Sequence, residues 1–235
     1  MPAERFFIPS PLIPDAEIHL EGTEFHHLAH VMRLKEGDSA EIVNGNGVLA
    51  HAILTHKDKK RALFRIVSIQ EKKKEARALI LAQALPRINR LDFIIEKATE
   101  LGVTHFWLFP GHLSERKALT DHQLERLDNL IISAMKQCGR LFKPSLEIKN
   151  SLDQWPSLSH PAYFGDVREE APSYFKLHQP KDDALFFIGP ESGFSDKEEK
   201  ILQKLGAQGV KLHSNTLRTD TAALVALSLM SQDSI

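Results

Sequence analysis

Ala184-Leu185-Phe186-Phe187-Ile188-Gly189-Pro190-Glu191-Ser192-Gly193-Phe194-Ser195 decides the fold class. Its first five residues have no polar break, as expected of a strand buried on both faces in a parallel sheet. Gly189 and Gly193 let backbone approach a ligand closely. Ser195 then caps a helix, and Glu198 three residues on closes a capping box. A second stretch repeats the pattern. Val210-Lys211-Leu212 runs through His213 to Thr216 into Leu217-Arg218-Thr219-Asp220-Thr221-Ala222. The helix that follows, Ala222 to Met230, is apolar almost all round and is expected to be buried. Two strand-to-helix loops side by side are where an α/β protein holds a small molecule.

Working outward, strands and helices alternate from Ala78 onward, which argues for a mostly parallel sheet. Ala78 to Ala84 reads as a strand. Asn89 caps a helix in which Leu91, Ile94, Ile95, Ala98 and Leu101 share one face, and Gly102 ends it at the C′ position. Thr104 to Phe109 is the next strand. Asp121 to Gln137 is a long helix with Leu124, Leu127, Ile131, Ala134 and Cys138 on one stripe. Residues 150–180 carry five prolines or glycines and give no firm element. Ordinary topology rules predict an unknotted doubly wound sheet.

The rhythm is different before about Ile69. Asn44-Gly45-Asn46-Gly47 is a hairpin turn between two apolar runs, Ala40–Val43 and Val48–Ile53. Ala62–Val67 alternates. A short helix after Thr23 carries His26 to Arg33. This reads as a small β-barrel. Glu71-Lys72-Lys73-Lys74-Glu75 is the expected linker, giving domains at residues 1–72 and 76–235.

Composition excludes more than it selects. The hydrophobic fraction of 42% and charged fraction of 26% are those of an ordinary soluble protein. No apolar run is long enough to cross a bilayer, so no membrane partner is expected, and Met1 to Pro14 lacks a signal peptide's pattern. The single cysteine cannot form an internal disulfide, which suits a reducing cytoplasm. Net charge is −1, so a nucleic-acid site must be a local patch. Residues 76–150 hold 11 basic and 8 acidic side chains, whereas residues 151–235 hold 8 and 12, so the patch is sought in the first two thirds. His26 and His30 have helical metal-ligand spacing but lack a third ligand, and no metal is expected. Cys138 lies on an apolar stripe and reads as packing. Neither a phosphate loop nor a GxSxG nucleophile elbow occurs.

The two C-terminal loops are accompanied, in order, by His27-Leu28, Val31-Met32-Arg33, Phe93-Ile94-Ile95-Glu96-Lys97-Ala98-Thr99-Glu100-Leu101-Gly102-Val103, Ser114-Glu115-Arg116 and Gln137-Cys138-Gly139-Arg140. Over nearly the whole chain this set resembles the RsmE family of SPOUT-class RNA methyltransferases. The resemblance implies a SPOUT-type α/β fold, with a knotted, mostly parallel sheet preceded by a PUA-like β-barrel. It implies S-adenosylmethionine as cofactor, N3 of a uridine in 16S rRNA of the small ribosomal subunit as methyl acceptor, and a cytoplasmic homodimer. The family usually has Gly, Gly and Glu where this chain has Ser192, His213 and Asp220. His213 sets a side chain where the family presents bare backbone.

Candidate roles follow from chemistry and placement. Uridine N3 holds a proton near neutral pH, so its methylation needs a base, a cation that stabilises the uridine anion, or both. Arg218 is the cationic candidate and Glu191 the carboxylate candidate. Ile188, Gly189, Pro190, Glu191, Gly193, Leu212, His213, Leu217, Thr219 and Ala222 are the candidate cofactor contacts, mostly through backbone. Arg33, Arg87, Arg90, Lys97, Arg116, Lys117 and Arg140 are the candidate RNA contacts. Two alternatives stand beside this reading. One is a non-catalytic ribosome-assembly protein that has lost the cofactor, and the other is a SPOUT enzyme acting on another RNA position.

Overall fold

The computed structural model describes residues 5–74, 77–177 and 183–232. Two compact units divide the chain. One takes Met1–Glu75 with Ile132–Lys143, and the other takes Ala76–Ile131 with Pro144–Ile235.

The first unit contains β1 (Arg5–Phe7), β2 (Glu17–Leu20), α1 (Gly22–His26) running into a π-helical turn (His27–Met32), β3 (Ser39–Val43), β4 (Val48–Lys57) and β5 (Ala62–Glu71). The strands form one sheet in the order β1-β3-β4-β5-β2. Phe6 of β1 and Phe64 of β5 have ring centroids 6.2 Å apart. Three strand spacings, about 14 Å, would separate these strands in a flat sheet, so the sheet curls round a single core. Phe6, Leu20, Phe25, Leu28, Ile42 and Phe64 fill that core. Register shifts between β4 and β5 at His51/Ala52 and Leu54/His56 are where such bending is accommodated.

The hairpin turn between β3 and β4 forms as its sequence predicts. Asn44 Oδ1 accepts from the N–H groups of Asn46 and Val48 at 2.8 and 3.2 Å, and Gly45 and Gly47 take φ of 74° and 92°. Its tip also binds the segment around Leu141 and Lys143. The Gly47 N–H donates to the Leu141 carbonyl and the Lys143 N–H to the Gly45 carbonyl, both at 2.9 Å. These bonds show why residues 132–143 belong to the first unit although they lie far along the chain.

The second unit contains β6 (Leu79–Ala84), α2 (Ile88–Glu100), β7 (His105–Phe109), the start of α3 (Asp121–Cys138), β8 (Ser145–Ile148), β9 (Ala162–Gly165), α4 (Tyr174–Leu177), β10 (Ala184–Ile188), α5 (Asp196–Lys204), β11 (Gln208–Val210) and α6 (Thr219–Met230). Six strands pair in the order β11-β9-β10-β6-β7-β8, all in parallel. Along β6 and β10 alternate residues enter two cores. Leu79, Leu81, Phe186 and Ile188 pack with α2 and α6, while Ile80, Ala82, Leu185 and Phe187 pack with Leu202 of α5. Burial on both faces explains the unbroken apolar runs. After β11 at the sheet edge the chain returns, and α6 packs on β6, β10 and α2.

Three local expectations need correction. Asn89 does not cap α2; the N-cap is Arg87, which offers no side-chain cap. The anion comes instead from Glu191, whose Oε1 accepts from the Arg87 N–H at 3.0 Å and complements the helix N-terminus. A local reading cannot see a cap 104 residues away. Second, α6 begins at Thr219, three residues before Ala222, because Arg218 is already its N-cap. Third, α6 is not buried all round. Ala223, Ala226, Leu227 and Met230 are buried, while Leu224, Val225 and Leu229 stay partly exposed. Among the described residues no helix is long and apolar enough to cross a membrane.

Candidate functional site

The loops after β9, β10 and β11 enclose a cleft of about 300 Å³ at the C-terminal edge of the sheet. All ten candidate cofactor contacts line it: Ile188, Gly189, Pro190, Glu191, Gly193, Leu212, His213, Leu217, Thr219 and Ala222. Ile188, Leu212, Leu217 and Ala222 give apolar surface, and the loop backbones give polar groups, the balance expected of a small-molecule site.

The two glycines are required for different reasons. Gly193 has φ of 74° with open space around a notional Cβ, so it supplies a left-handed turn. A Cβ at Gly189 would stand 3.0 Å from the Gly193 carbonyl carbon and the Phe194 nitrogen. There the loop's own backbone, folded tightly on itself, leaves room for glycine alone. Ser195 and Glu198 close the capping box as predicted. Glu198 is buried, and its Oε1 also accepts from the His112 N–H at 2.7 Å, tying this loop to the one after β7.

The sequence reading missed a third wall, Gly165-Asp166-Val167. Asp166 is buried and accepts from the Arg168 N–H at 2.9 Å and from its guanidinium at 2.5 to 3.0 Å. Burial pushes the Asp166 carboxyl up, but these hydrogen bonds, with the charges of Arg168 and Lys211, outweigh it and hold it below the ordinary carboxylate value. The available signal was Tyr163-Phe164-Gly165-Asp166, an apolar run stopped by Gly-Asp. It lies in the stretch whose prolines and glycines obscured the periodicity. His213 also lines the cleft, and its Nδ1 accepts from the Asn215 N–H at 3.0 Å, so its ring serves the loop's own turn.

Charged groups cross the neighbouring loops. The Arg90 guanidinium lies 2.7 Å from Asp220 and 3.4 Å from Glu191, joining the start of α6 to the loop after β10. Arg87 pairs with Glu115 at 2.6 Å in the loop after β7. That hydrogen bond and charge raise the Arg87 guanidinium further above its ordinary value. Arg218, the N-cap of α6, is exposed, has no ion pair with a described residue, and does not line the cleft itself, although Leu217 and Thr219 on either side do.

The candidate RNA contacts do not converge on this cleft. Lys97 is held by Glu100 and Glu96, each at 2.8 Å, whose hydrogen bonds push its ammonium well above the usual value. Lys117 donates to the Gly111 and His112 carbonyls at 2.6 and 2.8 Å. Arg116 is half-buried and has no ion pair with a described residue. Arg33 and Arg140 belong to the first unit, where Arg33 is exposed with φ of 55°. No group of three metal-ligating side chains occurs among the described residues. Cys138 is half-buried, with its Sγ 3.7 Å from the Met135 carbonyl, in keeping with packing.

A parallel α/β domain with a loop-built cleft at the C-terminal edge of its sheet, joined to a curled β unit, defines an α/β protein with a small-molecule site. The family model for the RNA methyltransferase domain matches residues 73–231, and that for the RNA methyltransferase PUA domain matches residues 20–67, so the chain belongs to the RNA methyltransferase family. It is similar to ribosomal RNA small subunit methyltransferase E of Neisseria gonorrhoeae, solved bound to S-adenosyl methionine. The TM-score is 0.86 and the identity 29%, over 97% of each chain. A Legionella pneumophila protein solved with the bound cofactor SAM superposes with a TM-score of 0.91 at 27% identity, covering 99% of this chain and 98% of that one. Ribosomal RNA small subunit methyltransferase E of Buchnera aphidicola is 25% identical over 244 residues, 96% of this chain and 92% of that protein.

Proposed function

We propose that the protein transfers the methyl group of S-adenosylmethionine to N3 of a uridine in 16S rRNA of the small ribosomal subunit. The observation that carries this is the three-loop cleft, in a chain matched over 97% of its length by a relative solved with that cofactor. The residues present fit the cofactor. Leu212 and Leu217 offer apolar walls to an adenine ring, and the backbone of residues 188–193 and 212–217 offers donors and acceptors to its edge. When bound, S-adenosylmethionine supplies an electrophilic methyl group. The protein's work is to hold acceptor and cofactor in line, to exclude water and to favour the uridine anion.

Glu191 is committed to Arg87 and Arg90 and therefore braces the loops. Arg218, exposed beside the cleft with no counter-ion among the described residues, takes the electrostatic role. The RNA is held by basic residues outside the cleft, with Arg116, Arg140 and Arg33 as the leading contacts. A ribosomal substrate places this activity in the cytoplasm.

Mapping 16S rRNA from cells with and without this protein tests the assignment. One N3-methyluridine should be absent without it and be restored in vitro by the purified protein with S-adenosylmethionine. A lost ribose methyl group, or unchanged RNA, would redirect the assignment.

The protein works as a homodimer. The support is the partly exposed apolar face of α6, formed by Leu224, Val225 and Leu229, together with the family resemblance. Sedimentation velocity at micromolar concentration should read twice the chain mass of 26.5 kDa. A single species at the chain mass would refute the dimer.

A further inference from the structure

Gln83 is the last residue but one of the central strand β6 and is fully buried, on the sheet face that packs against α6. Its surroundings on that face are apolar, among them Leu81, Ile188 and Ala223. An amide there is costly unless its hydrogen bonds serve a purpose. Its Nε2 lies 2.9 Å from the Ala84 carbonyl, 3.1 Å from Thr219 Oγ1, and 3.3 and 3.4 Å from the Gly189 and Ile188 carbonyls. Thr219 Oγ1 in turn donates to the Gly189 carbonyl at 2.6 Å. A hydroxyl has one proton to give, so toward Gln83 it must accept. The direction of the whole chain is thereby fixed. Turning the amide over would set Oε1 against three carbonyl oxygens.

We propose that Gln83 is a positioning residue for the cofactor, its buried amide holding the loop after β10 and the first turn of α6 in one register. This rests on the methyl-transfer reading above. Ile188 and Gly189 open the first cofactor loop, and Thr219 follows Arg218 at the start of α6. One amide therefore sets the spacing of two cleft walls and the direction from which Arg218 emerges. Oε1 of the same amide is buried and has no hydrogen-bond partner among the described residues. An unmet acceptor destabilises the fold, so stability alone favours an apolar side chain of this length. The donor side accounts for glutamine here.

Gln83→Met keeps the length and removes both donors. S-adenosylmethionine should bind this variant about tenfold more weakly by calorimetric titration, while the melting temperature of the cofactor-free protein stays the same or rises. A residue that only supported the fold would do the reverse, lowering the melting temperature at unchanged affinity. Thr219→Val should also weaken binding, and in the Gln83→Met background it should add little, because both changes break one chain. Wild-type affinity in Gln83→Met, or fully additive losses, overturns the proposal. If Gln83→Met does not fold, Gln83→Asn, which withdraws the amide by one methylene, carries the same expectation. Failure of the wild-type protein itself to bind S-adenosylmethionine would count against the functional reading instead, and the two failures are thus told apart.

Discussion

Arg218→Ala is expected to slow single-turnover methylation about 100-fold at saturating RNA and cofactor, with both affinities close to those of the unaltered protein. The residue stands at the N-cap of α6, between two cleft-lining residues, and is exposed without a partner among the described residues. A cation so placed is free to face charge that develops on the acceptor, and the N-terminus of α6 adds partial positive charge from the same direction. Interactions realised only as the uridine loses its N3 proton act on the rate and not on binding. The variant's rate should also climb with pH in the alkaline range, because the deprotonated acceptor then arises without assistance. Arg218→Lys, which keeps the charge but not the planar fork, should recover part of the loss. A normal rate for Arg218→Ala under saturation removes this residue from the mechanism and leaves positioning by the loops as the source of catalysis.

The contrast between Arg218 and Glu191 shows what a sequence can and cannot reveal. Both were legible as charged residues in ligand loops, because the loops are announced by unbroken apolar strands and by the Ser195 capping box, which are local features. Which charge is already spoken for is not local. Glu191 is engaged by Arg87 and Arg90, about a hundred residues earlier in the chain. The same limit explains the misplaced cap of α2, where the anion came from another loop. It also explains why residues 132–143 join the first unit through backbone bonds to a distant hairpin tip. Gln83 was invisible for a further reason. In the sequence it is one polar residue near the end of an apolar strand, and nothing nearby marks Thr219 as its partner 136 residues on. The third cleft wall at Asp166 was hidden differently, by a Pro- and Gly-interrupted stretch too short for periodicity to show.

Arg90→Ala should weaken S-adenosylmethionine binding about 30-fold, roughly 2 kcal/mol. The Arg90 side chain is only a quarter exposed and holds Glu191 and Asp220 at 3.4 and 2.7 Å. Without it, two carboxylates from different cleft walls face each other. At a separation of about 6 Å and an effective dielectric of about 20, their repulsion is of order 2–3 kcal/mol. Each carboxylate keeps one backbone donor, Glu191 from Arg87 and Asp220 from Thr221, so the loops should separate and not unfold. Three further outcomes follow from that cause. High salt should shrink the defect, because it screens like charges. Asp220→Asn should repair part of it, because it removes one of the two. Arg90→Lys should fall between, because an ammonium cannot reach both carboxylates with a planar fork. The competing role for Arg90, contact with an RNA phosphate, leads elsewhere. It leaves cofactor affinity intact and lowers the log–log salt slope of RNA binding by about 0.7–0.9. Titrating one variant with cofactor and, at several salt concentrations, with RNA therefore decides between a clamp on the cleft and a contact with the substrate.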